Sequence, residues 1–133
     1  MSRRGGRAMR EIVFWIYLAN AVVLINHEVD SGYWKEWELV GMKGGISLFL
    51  LLHFPLFFVL LWGLVETYKG TTAGLVVSLV VSSIGIFAAI AHALFLRKGN
   101  EKFRLPVSIA ILIMTGILSP VQLAMTVYLM NMQ

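Results

Sequence analysis

Three uninterrupted apolar runs, at residues 46–65, 71–96 and 105–130, constrain this chain more than any other feature. Each reaches the roughly 20 residues that a helix needs to cross about 30 Å of hydrocarbon. A fourth run, at about 12–27, is shorter and needs flanking groups such as Arg10 and His27 to reach both interfaces. Inside lipid every backbone N–H and C=O must find an internal partner, so runs of this length specify helices. The expected fold is all-α: an integral membrane four-helix bundle in one domain, residues 1–133, lying in a bilayer.

Only 14% of the 133 residues are charged, while 59% are hydrophobic. A soluble domain carries roughly 25% charge, so a water-soluble enzyme or binding module is excluded. Cysteine is absent, which removes a disulfide framework, a thiolate nucleophile and any Cys-based metal site. The net charge is +4, but the basic residues flank the spans and form no continuous stripe. That distribution points to lipid headgroups as the partner, and not to nucleic acid.

The first run also has features of a secretory signal: Arg3, Arg4, Arg7 and Arg10, then Ala19-Asn20-Ala21 as a small-x-small site. Val22-Val23-Leu24-Ile25 continues the apolar stretch past that point, which favours an uncleaved first helix. Four alternating spans put both termini on one side, here side A, with Trp15, Trp62, Tyr68 and Tyr128 as interfacial aromatics. Side B receives the 27–45 connection and the 97–104 loop, with Tyr33, Trp34 and Trp37. Side A carries five basic residues (Arg3, Arg4, Arg7, Arg10, Lys69), and side B six (Lys35, Lys43, Arg97, Lys98, Lys102, Arg104). The positive-inside rule needs an imbalance, so orientation stays open.

The connection on side B is chemically the richest part. Residues 26–38 hold four of the seven carboxylates, Glu28, Asp30, Glu36 and Glu38, with His27 and three large aromatics. Tyr33, Trp34, Trp37 and Val40 recur at helical spacing and predict a short interfacial helix at about 33–41, with Lys35 and Glu36 toward water. Gly41, Gly44 and Gly45 then turn the chain into the second span.

Polar residues of the spans fall on single faces. Tyr17, Asn20, Leu24 and His27 share one; Gly74, Ser78, Ser82, Gly85, Ala89 and His92 another; Ser108, Leu112, Thr115, Ser119, Gln122 and Thr126 a third. Small residues allow close helix approach and polar ones need partners away from lipid, so these faces should meet inside the bundle. They are either packing seams or the lining of a polar pocket, for which Tyr17, Asn20, Glu38, Ser82, Ser108, Thr115 and Gln122 are the candidates. Span direction brings His27, His53 and His92 to the same side-B end. Imidazole is the commonest metal ligand and also suits a proton relay, and carboxylates can complete either. His27, Glu28, Asp30, His53 and His92 are therefore the candidate metal or proton site, with a divalent metal as the candidate cofactor. Pro55 is expected to kink the second span beside His53.

Residues 27–39, with Gly44-Gly45-Ile46 and residues 50–56, resemble a family of small uncharacterised prokaryotic four-span membrane proteins that carry a His-Glu-(Val/Ile)-Asp…Tyr-Trp-x-Glu-Trp-Glu segment. The resemblance covers about residues 26–60. It implies a multi-pass fold in a prokaryotic plasma membrane and carries no catalytic assignment. Three functions fit the residues: a metal- or proton-binding protein or enzyme acting on a lipid-like molecule, a small proton- or cation-coupled transporter, and an accessory subunit or homo-oligomer.

Overall fold

The computed structural model describes residues 3–132. Four long helices, α1 (Arg3–Tyr33), α3 (Gly45–Lys69), α4 (Thr72–Arg97) and α5 (Pro106–Asn131), form an all-α bundle, with the short α2 (Glu36–Leu39) between the first two. Each long helix packs against two others in the cyclic order α1, α3, α4, α5 and back to α1. All four are long and apolar enough to cross a membrane. The chain is an integral membrane protein.

The burial pattern reverses that of a water-soluble bundle. Val22, Phe54, Phe58, Phe87 and Ile117 point outward, while Asn20, Ser78, Ser82, Thr115, Ser119, Gln122 and Thr126 are fully buried. Lipid is as apolar as leucine, so a membrane bundle gains nothing by hiding hydrocarbon and is held by close packing and interhelical hydrogen bonds. Both are present. At Gly85 an added Cβ would strike the Ser119 hydroxyl, and at Gly74 it would strike the backbone of Glu66 and Thr67. The buried polar groups meet one another: Asn20 Nδ2 donates to Gln122 Oε1 at 2.7 Å and to Ser119 Oγ at 3.2 Å. Gln122 Nε2 donates to the Ser78 hydroxyl at 3.0 Å, and Ser78 and Thr126 share a bond of 2.8 Å. One chain of contacts thus ties α1, α5 and α4 together in mid-membrane. Tyr17 adds α3 by donating to the Leu60 carbonyl at 2.8 Å.

The helix ends set the geometry of the two membrane faces. Thr71 caps α4 by accepting from the Gly74 N–H, and Gly70 ends α3 in the left-handed region at φ 73°. On side B, α1 runs six residues beyond the expected span end at 27, because Glu28 and Asp30 find protein partners there. The interfacial helix is correspondingly short, four residues where about nine were expected.

Candidate functional site

α1 delivers His27 and α4 delivers His92 to the side-B end, where their rings meet edge to face with centroids 4.6 Å apart. Their exposures are only 4% and 2%. The third member comes from outside the spans. α1 ends at Tyr33, and Lys35 takes the left-handed conformation, φ 54° and ψ 54°, before α2 begins. That turn folds Glu36 back over the bundle instead of out to water. Its Oε1 lies 3.2 Å from His92 Nε2, with the Glu36 side chain 24% exposed. One ligand atom from each of His27, Glu36 and His92 lies within 4.8 Å of the other two. Burial works to raise the Glu36 carboxyl, but the hydrogen bond from His92 and the attraction of both imidazoles outweigh it and hold the group below its ordinary value.

Phe103 closes the cluster from the 97–104 loop, its ring 4.4 Å from that of His92 and 6.1 Å from Trp34. Phe103 is itself held at φ 65°. It and Lys35 are the two non-glycine residues with positive φ among the described residues, and both flank this cluster. A bulky side chain in that region is strained, and such strain persists where the surroundings over-determine it. One buried polar atom here, His92 Nδ1, has no hydrogen-bond partner, while the Ser31 hydroxyl stands beside the Glu36 carboxylate and helps to hold its pKa down.

His53 stands in a separate arrangement. Its Nδ1 is 2.6 Å from the Phe49 carbonyl and its Nε2 2.7 Å from Glu28 Oε2. A carbonyl can only accept, so the contact with Phe49 puts a hydrogen on Nδ1. The Phe49 ring lies over the imidazole at 3.9 Å. Asp30 forms a third unit, accepting from Ser108 Oγ at 2.9 Å, while Ser108 accepts from Trp34 Nε1 at 3.3 Å.

The family described as "Family of unknown function (DUF6713)" has a model that matches residues 13–129. The chain belongs to this family. The DUF6713 match takes in nearly all of the four long helices and every residue of the side-B cluster. No curated protein and no solved structure matches the chain.

The sequence-based site thus divides three ways in this DUF6713 member. His27 and His92 come together, His53 pairs with Glu28, and Asp30 turns to Ser108. Of the expected pocket lining, Asn20, Ser82 and Gln122 belong to the buried hydrogen-bond chain, with Ser82 donating to the Ser78 carbonyl at 2.7 Å. Tyr17 and Thr115 bond backbone carbonyls, of Leu60 and Ile111 respectively. Glu38 faces outward, and its bond to Lys102 at 3.0 Å holds its carboxyl below the ordinary range. Glu36 is the cluster member that helical spacing misses. Extrapolating one helix through 33–41 points it to water, and nothing in the residue type at Lys35 announces a left-handed turn. The sequence signal that remains is a carboxylate set between Trp34 and Trp37.

Proposed function

We propose that this membrane protein binds a divalent first-row transition metal, of the zinc class, through His27, His92 and Glu36 at the side-B end of the bundle. The observation that carries the reading is the convergence of two almost fully buried imidazoles and one carboxylate within 4.8 Å. Two nitrogens and one oxygen form the donor set of catalytic zinc sites, which keep a further position open for water or substrate. The ligands are borderline in softness, which disfavours calcium and magnesium. Support also comes from the strained Lys35 and Phe103, and from the unpartnered His92 Nδ1 beside the cluster. The Phe95 and Phe103 rings lie against His92, and such aromatic neighbours favour an apolar or lipid-like small molecule. The resemblance of residues 26–60 supports a prokaryotic plasma membrane as the setting.

The test is metal content by mass spectrometry on protein purified in mild detergent. We expect one equivalent in the wild type, loss in His92→Ala and Glu36→Gln, and retention in His53→Ala. Metal that is absent from the wild type after incubation with zinc, or that survives His92→Ala, overturns the reading. The His53 variant matters because that residue belongs to a different pair, so it separates loss of ligands from loss of any side-B histidine.

A further inference from the structure

On side A an open cleft of about 720 Å³ lies between α1 and the α3–α4 turn. It is far from the metal cluster: Arg10 and His27 are 17 residues apart on one helix, roughly 26 Å. Its lining includes Arg7, Arg10, Glu11, Trp15, Tyr68 and Lys69. We infer that this cleft binds the phosphodiester headgroup of one anionic phospholipid.

Depth is the first argument. Trp15 and Tyr68 are exposed aromatics, 58% and 75%, of the kind that sit at headgroup level. Arg10 and Arg7 lie five and eight residues before Trp15, which places them roughly 8 and 12 Å further toward water. The polar headgroup layer is about 5–8 Å thick on each face, so Arg10 stands at its outer edge and Arg7 about one turn beyond, from where both long side chains can meet a headgroup phosphate from the water side.

Charge is the second. Among the described residues neither Arg7 nor Arg10 has a carboxylate at ion-pair distance, whereas Lys69 is tied to Glu66 at 2.8 Å. Arg10 is also positioned. Its Nε donates to the Gly6 carbonyl at 3.3 Å, and its guanidinium lies against Gly70, where a Cβ would come within 3.3 Å of Nη1. Guanidinium groups match phosphate oxygens in a fixed fork, so two free arginines over aromatic walls complement a single phosphodiester. Glu11 on the same lining limits the positive charge and disfavours a polyphosphorylated headgroup.

The experiment is native mass spectrometry of the full chain, released from mild detergent containing equal phosphatidylglycerol and phosphatidylcholine. Each basic residue near an anionic lipid surface contributes about fivefold, so two arginines should give the wild type about a thirtyfold preference for phosphatidylglycerol, with one lipid per chain. Arg7→Gln with Arg10→Gln should abolish that preference. Lys43→Gln with Lys98→Gln, the same charge loss among exposed side-B residues, should leave it unchanged. Equal retention of the two lipids by the wild type overturns the proposal, as does an equal loss in both double variants. Arg10→Lys keeps the charge and removes the fork, and should reduce the preference by several-fold with helicity unchanged.

Discussion

Replacing Asn20 by leucine tests whether the mid-membrane polar chain holds the bundle together. Asn20 is fully buried and bonds Gln122 Oε1 at 2.7 Å and Ser119 through two contacts, at 3.2 and 3.3 Å. Leucine keeps the branched outline of asparagine but is the larger side chain, so the change removes the hydrogen bonds and opens no cavity. It also adds some overpacking, which the double variant separates from the lost bonds. Gln122 Oε1 is left without its donor. An orphaned buried acceptor costs about 1–3 kcal/mol, and measured polar contacts between membrane helices average about 0.6 with a maximum near 1.7 kcal/mol. We therefore expect Asn20→Leu to destabilise by about 2 kcal/mol, roughly a thirtyfold change in the folding equilibrium. The assay is reversible unfolding in mixed detergent micelles, followed by helicity. Gln122→Met alone should cost a similar amount, because it leaves Asn20 Nδ2 with only Ser119 Oγ and removes the donor to Ser78. The double variant removes both partners, so it should cost about 1 kcal/mol less than the sum of the singles. A cost below about 0.5 kcal/mol for Asn20→Leu, or strict additivity in the double variant, would refute the claim that this chain of bonds is structural.

Packing and termini give further tests. Gly85→Val should destabilise by about 1–3 kcal/mol because its Cβ meets Ser119, while Gly116→Ala, with Ala89 at 3.7 Å, should be close to neutral in the same unfolding assay. Thr71→Ala removes the α4 cap and should cost about 1 kcal/mol, whereas Thr71→Ser should restore most of it, read by thermal melting in detergent. The Glu38–Lys102 tie holds the Glu38 carboxyl below its ordinary value, so its contribution is present above the usual carboxylate range and is lost as pH falls through the lowered value. Hydrogen-exchange protection across residues 36–39, after correction for the intrinsic slowing of exchange in acid, should accordingly fall at acid pH and at high salt, and Glu38→Gln should remove both dependences.

The fold was largely legible because lipid leaves few alternatives. Long apolar runs can only be helices there, and the spacing of Ser78, Ser82 and Gly85 or of Ser119, Gln122 and Thr126 marks the faces that turn inward. The gathering of histidines at one end followed from span direction alone. The partners of each ionisable group did not follow, because they depend on local backbone choices that residue type leaves open. Glu28 and His27 are adjacent in sequence and point about 100° apart on a helix, so they serve different neighbours, His53 on α3 and His92 on α4. The turn at Lys35 is flanked by tertiary contacts of Trp34 with Phe103 and of Trp37 with Phe49, 69 and 12 positions away along the chain. That is why Glu36 was read as solvated and Phe103 was not read at all.

The connection between His27, Glu36 and His92 has a consequence for biogenesis. Domains emerge from the N-terminus during synthesis, and here the first two members of the cluster are made well before the third. A nascent chain that has inserted only α1 and α3 holds one of the cluster's two imidazoles, and its Glu36 still lacks the His92 partner. The cluster closes only once α4 has crossed the bilayer and Phe103 has followed. Occupancy of the proposed metal site would therefore act as a readout of completed insertion, distinguishing a finished bundle from a two-span intermediate that exposes the same side-B loop.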